Sequence, residues 1–179
     1  MSVNIVVLSG APRREGNTER LAAAFVAGAE AAGKKVTTFR TADMKIGGCK
    51  GCGHCLNEKG VCVQKDDMPG ILDALRQADA LALVSPVYFF DVSAQLKLAI
   101  DRTFALGSEV LPIKKAALLM TCADPSKDSA NGAIVTYRSI CAYLKWEDAG
   151  IIVATGLQTP GEIDGRNELD QAKAIGQEI

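Results

Sequence analysis

The sequence predicts an α/β chain with a doubly wound, five-stranded parallel sheet, and three observations carry that prediction. Apolar, β-branched runs alternate with helical patterns five times along the chain. Three of those runs are apolar almost throughout, as strands are when helices cover both faces of a sheet. The first run also feeds directly into a loop of small, hydroxyl and basic residues that opens an alanine-rich helical segment, and a turn of that kind suits an anion at a helix N-terminus.

Each element follows in order. Residues 3–9 read as the first strand and 18–32 as the first helix. Residues 35–40, Lys-Val-Thr-Thr-Phe-Arg, alternate in polarity and predict an edge strand. Helical patterns at 67–78, 93–105, 129–144 and 166–176 then interleave with strands at 80–85, 115–121 and 150–155. Right-handed crossovers give the strand order 2-1-3-4-5, with ligands expected at the carboxyl ends of the strands near the switch point. The 179 residues, 48% hydrophobic, suffice for one core, so one domain over 1–179 is expected.

Net charge of −1 gives no electrostatic reason to expect nucleic acid or an anionic membrane as partner. No apolar run approaches the roughly 18 residues of a membrane span. Met1-Ser2-Val3-Asn4 enters the first strand without a basic region, so a cytoplasmic location is expected.

The loop Ser9-Gly10-Ala11-Pro12-Arg13-Arg14-Glu15-Gly16-Asn17-Thr18 is the strongest functional signal. The hydroxyls of Ser9 and Thr18, the amide of Asn17 and free backbone N–H groups can converge on one anion, and Arg13 and Arg14 add bidentate charge. An ordinary strand-to-helix turn with an Asn-Thr cap is the structural alternative. Gly10 and Gly16 do not build G-x-G-x-x-G, and no G-x-x-x-x-G-K-[ST] occurs, so a mononucleotide or simple phosphomonoester fits better than a dinucleotide.

Two further loops are expected at the same edge. Ser85-Pro86-Val87-Tyr88-Phe89-Phe90-Asp91 places three aromatics where a core does not need them, which suits a flat ligand; packing beneath a helix or against a partner subunit is the alternative. Thr121-Cys122-Ala123-Asp124-Pro125-Ser126 is small and polar enough to approach a ring, or is a plain turn.

Cys49, Cys52, Cys55 and Cys62 form C-x2-C-x2-C-x6-C between the second strand and the next helix. Four of six cysteines in one loop point to a metal centre before disulfides. The spacings among the first three cysteines match bacterial ferredoxin clusters, whereas the gap to the fourth is longer and Val63 rather than proline follows it. Gly47, Gly48, Gly51, Gly53 and Gly60 let the backbone wrap a compact cluster, and zinc suits four thiolates equally well. Cys122 and Cys141 read as small buried or loop residues. Asp128, Glu147 and Met68 stand six after Cys122, Cys141 and Cys62, so the C-x5-R cradle of low-molecular-weight phosphatases is absent. The sole histidine, His54, lies in the Cys-rich loop and reads as a solvated residue, which leaves little for a Ser/His/Asp mechanism.

The S-G-A-P-R-R-x-G-N-T loop, the S-P-V-Y-F loop with Ser93-Ala94-Gln95-Leu96-Lys97 and Asp101-Arg102, and the Cys-rich stretch running into Asp66-Asp67-Met68 together resemble the NAD(P)H-dependent FMN reductase and iron-sulfur flavoprotein group. The resemblance covers nearly the whole chain. It implies a flavodoxin-like three-layer sandwich, with a Cys-rich insertion at about 46–65. It further implies FMN, with the phosphate on Ser9, Arg13, Gly16, Asn17 and Thr18, Pro12 among the cofactor-binding residues, and the ring against Pro86, Val87, Tyr88 and Phe89; Cys122 and Ala123 correspond to the third loop. Nicotinamide oxidation, NADH or NADPH, is the implied half-reaction, with a quinone, nitro compound, free flavin or other small-molecule or protein acceptor. Arg14, Lys127 and Arg138 read either as contacts for an NADPH 2′-phosphate or as solvated surface charges. Many relatives of this kind carry a similar loop without a cluster, so a 4Fe-4S cluster, zinc and a metal-free loop all stay open. An electron-transfer module between protein partners is the second functional class. A homodimer or homotetramer is implied for either.

Overall fold

A computed structural model describes residues 2–107 and 109–179. Along the chain it runs β1 (Asn4–Ser9), α1 (Asn17–Ala31), β2 (Lys35–Arg40), a one-turn α2 (His54–Asn57), α3 (Met68–Leu75), β3 (Ala80–Tyr88), β4 (Asp91–Val92), α4 (Ala94–Arg102), β5 (Lys115–Thr121), α5 (Asn131–Leu144), β6 (Glu147–Ala154) and α6 (Asn167–Glu178). The main sheet is parallel in the order β2-β1-β3-β5-β6. That is the expected 2-1-3-4-5 arrangement, with β2 at the edge and the two-residue β4 added as an antiparallel partner of β3.

The period-two alternation of β-strands splits the apolar residues between two layers. Val6 and Leu8 of β1, Leu81 and Leu83 of β3, and Leu118 and Met120 of β5 face α3, α4 and α5. Their neighbours Ile5, Val7, Ala82, Val84, Ala117 and Leu119 face α1 and α6. In α3 the buried Met68, Ile71, Leu72 and Leu75 recur at helical spacing, and Pro69 starts the helix where a missing N–H does no harm. Close contact of α1 with α6 depends on two glycines: a methyl on Gly28 would overlap the Lys173 carbonyl, and one on Gly176 the Phe25 carbonyl.

Several boundaries differ from expectation, three of them instructively. The helix expected over 67–78 ends at Leu75. The last strand starts at Glu147 rather than 150, because a register shift beside Ala116/Ala117 lets the polar Glu147 and Asp148 pair before Gly150. The third strand runs on to Tyr88 and turns back at Phe89-Phe90, both with positive φ (48° and 72°). A two-residue hairpin turn of that hand ordinarily takes Asn-Gly, so its sequence signal was absent.

Candidate functional site

At the carboxyl edge the register sets Pro86 beside Thr121 and Thr121 beside Ala154, so the ends of β3, β5 and β6 open toward the loop after β1. That loop is held from both sides. Gly10 N–H donates to the Val84 carbonyl (2.8 Å), and a methyl on Gly10 would overlap Ser93 and lie 2.6 Å from the Leu96 Cβ. Glu15 has a positive φ (58°), which turns the chain into Gly16, the N-cap of α1. No side chain caps this helix. Its first N–H groups and the positive end of its dipole are therefore left for an anion.

The polar side chains of the loop divide into two groups. Ser9 is buried, and its hydroxyl donates to Glu19 (2.9 Å) and accepts from Ala11 N–H (3.4 Å). Glu19 also pairs with Arg40, so its carboxylate stands neutralised beside the helix start. The Asn17 amide donates to the Thr159 carbonyl (2.8 Å) and accepts from Gly161 N–H (2.9 Å) and Ile163 N–H (3.3 Å), tying the loop after β6 to α1. The Thr18 and Thr121 hydroxyls lie 2.5 Å apart, joining α1 to the end of β5. Arg14 turns away to Asp43 (2.7 Å). Arg13 keeps its charge at the opening, with only a 3.5 Å contact to the Gln158 carbonyl.

A cavity of about 270 Å³ lies among these loops. From the first loop it is lined by Pro12, Arg13, Gly16, Asn17 and Thr18; from the second by Pro86, Val87 and Tyr88; from the third by Ala123. Ser9, Phe89 and Cys122 do not line it. Ser9 sits buried behind the loop, Cys122 is buried, and Phe89 projects from the hairpin turn at 97% exposure. Ala11, Thr121, Leu157, Gln158 and Pro160 join the lining without having been singled out in the sequence. The last three come from the loop that Asn17 holds, a segment with no phosphate or aromatic signature of its own. Asp124 fixes the third loop: its carboxylate accepts from the Ser129 hydroxyl (2.7 Å) and Ser126 N–H (2.8 Å), which hold it below the usual carboxylate range. Lys127 and Arg138 are exposed outside the cavity lining.

An uncapped helix start, a free arginine, and a slot flanked by Pro86, Val87 and Tyr88 suit a phosphate joined to a flat ring. The residues present therefore fit FMN.

The Cys-rich segment lies between β2 and α3. Gly51, Gly53 and Gly60 have positive φ (62°, 69° and 83°), and Gly53 opens the single turn of α2. Gly60 has no room for a side chain, since a methyl there would meet Arg76, Glu109 and the Ala105 carbonyl. Cys49, Cys52, Cys55 and Cys62 all line one cavity of about 200 Å³, together with His54 and Phe104. Among the described residues, no three His, Cys, Asp or Glu side chains gather around a point that would hold a single ion. Tetrahedral zinc needs four sulfurs about 2.3 Å from one centre. The other two cysteines, Cys122 and Cys141, are buried, and burial pushes the Cys141 thiol up.

Across the base of this loop, Arg102 pairs with Asp66 (2.6 and 3.1 Å) and donates to the Gly47 carbonyl (2.8 Å). Burial alone would raise the Asp66 carboxyl, but hydrogen bonds from Arg102, Gly47 N–H and Met68 N–H outweigh it and hold the group below its ordinary value.

A family model described as NADPH-dependent FMN reductase matches residues 3–153. An iron-sulfur flavoprotein of Archaeoglobus fulgidus is 32% identical over 97% of the chain and 77% of its own length. One from Methanocaldococcus jannaschii is 39% identical over 56% of the chain and 52% of its own length. Among solved structures, an NAD(P)H:quinone oxidoreductase from Methanothermobacter marburgensis superposes with a TM-score of 0.77, at 20% identity, over 99% of this chain and 96% of that one. A FMN-dependent NADH-azoreductase from Bacillus anthracis, in complex with FMN, gives 0.71 at 12% identity over 98% of each chain. At such identities the superpositions speak for the flavodoxin-like fold. Among the described residues no helix is long and apolar enough to cross a membrane.

Proposed function

The chain belongs to the NADPH-dependent FMN reductase family, an oxidoreductase family, and from that premise we propose that it binds FMN in the cavity at the carboxyl edge of the sheet and oxidises NADH or NADPH there. The observation that carries this reading is the meeting of three strand-end loops around one cavity beside an uncapped helix. Residues 1–179 then act as one flavin-binding domain carrying the Cys-rich insertion at about 46–65.

Arg13 and the N–H groups of the first turn of α1 hold the phosphate, with Pro12 and Gly16 shaping the cradle. Asn17 acts at one remove, by fastening the loop that brings Gln158 and Pro160 to the same cavity. Pro86, Val87 and Tyr88 flank the ring, and Ala123 lets the backbone approach it closely. Bound FMN supplies reversible acceptance of a hydride or of single electrons, so no side chain poised to move protons near neutral pH is needed. The acceptor is a quinone, nitro compound, free flavin or similar molecule, and the working unit is a homodimer or homotetramer.

A second component of the reading rests on the cavity shared by the four cysteines. Cys49, Cys52, Cys55 and Cys62 would hold a 4Fe-4S cluster and so add single-electron capacity beside the flavin. The similarity to iron-sulfur flavoproteins supports it. Iron, sulfide and flavin analysis of anaerobically purified protein, with FMN identified chromatographically after heat release, tests both components. FAD in place of FMN would overturn the first, and absence of iron and sulfide the second.

A further inference from the structure

Among the described residues, Arg102 is the largest fully buried side chain, and it does not line the flavin cavity. It ends α4, and its two Nη atoms bond to Gly47 and Asp66, which flank the Cys-rich loop where it leaves the sheet and where it returns. Asp66 closes the same gap by accepting from Gly47 N–H (3.0 Å). The third guanidinium nitrogen, Nε, is buried with no acceptor among the described residues. A buried charged donor without a partner is rare in a folded protein and asks for an explanation. Cys62 stands four residues before Asp66, at the end of the Cys-rich loop that Arg102 holds, and among the described residues its side chain acts with Asp66 to favour the charged guanidinium.

The other end of α4 is fastened to the flavin side. The Ser93 hydroxyl donates to the Gly10 carbonyl (2.8 Å) and caps Leu96 N–H, while Ser93 N–H donates to the Ser85 hydroxyl (2.8 Å). A nine-residue helix, about 13 Å long, thus runs from the phosphate loop to the base of the Cys-rich loop.

We infer that Arg102 is a positioning residue for the Cys-rich loop: its Nη atoms clasp the loop's base, and its free Nε–H is the donor reserved for the Cys62 sulfur of a bound cluster. The clasp stands on the geometry alone. The Nε–H assignment rests on the cluster reading above. Hydrogen bonds to cluster sulfurs favour the reduced, more negative form, so this donor raises the reduction potential.

The test uses the full FMN-loaded chain. In a Cys52→Ser background, which removes the cluster, adding Arg102→Met should speed hydrogen exchange of residues 47–66 at least tenfold with FMN affinity unchanged; unchanged exchange overturns the clasp. Should that variant not fold, Arg102→Gln takes its place under the same criterion. In iron-loaded protein, Arg102→Lys keeps a charge for Asp66 but has no donor at the Nε position. Its cluster should form and titrate at a lower potential than wild type, and an unchanged potential overturns the Nε–H assignment. Wild-type protein without iron or sulfide refutes the cluster reading and the Nε–H assignment together, and the exchange measurement still decides the clasp.

Discussion

The cavity at the carboxyl edge of the sheet and the Cys-rich loop are built by opposite routes. The first is a product of sheet topology: strands in register bring their carboxyl ends together, and short loops meet there with most polar side chains already satisfied by one another. The second is an excursion from the sheet with almost no regular structure, held at its base by a buried ion pair whose members are 36 residues apart. A site of the first kind should tolerate loss of single side chains and lose ligand affinity in steps. A site of the second kind should fail all at once when its one clasp is removed.

The sharpest break of that contrast is Asp66→Ala, which strands the Arg102 charge in the interior. Removing one member of a buried pair costs about 3–5 kcal/mol, so urea unfolding should show a loss of that size. Arg13→Ala should instead leave stability within about 0.5 kcal/mol while weakening FMN roughly tenfold or more, the worth of a charged hydrogen bond. Riboflavin, which lacks the phosphate, should be affected far less; equal loss of both ligands would point to a folding defect.

Asn17→Ala addresses the expectation that its amide serves the phosphate. Its three bonds run to Thr159, Gly161 and Ile163, so the variant should lose about 1–2 kcal/mol and show faster hydrogen exchange over 157–163, with FMN weakened as a consequence. Smallest is an effect of pH. The Asp66 carboxyl is depressed in the folded state, so its contribution is complete above the unfolded value of about 3.9 and disappears as pH falls through the lower folded value. The stability difference between wild type and Asp66→Asn should therefore shrink only below about pH 4, measured by urea unfolding across an acid series.

The same contrast explains what was legible in the sequence. Strands and helices announce themselves through local periodicity, and the loop after β1 through its position between one strand and one helix, so the sheet order and most of the cavity lining are readable. The Ser9 hydroxyl is claimed by Glu19, ten residues on, a bond that strand-plus-loop reasoning does not see. Leu157, Gln158 and Pro160 were missed because Asn17 draws their loop in across 142–146 residues of sequence. The Phe89-Phe90 turn runs against local propensity, and nothing short of the hairpin reveals it. Arg102 lay within a recognised Asp-Arg pair, yet its role depends wholly on Gly47 and Asp66, which the chain brings near only after folding.

The central claim is that this cavity holds FMN for reduction by a nicotinamide. Anaerobic stopped-flow mixing of the flavin-loaded protein with NADH or NADPH tests it most directly. Rapid bleaching of the FMN absorbance by at least one of the two is the predicted result. An FMN spectrum left unchanged by both, yet bleached by a reduced iron-sulfur carrier protein, would contradict the reductase and leave an electron relay.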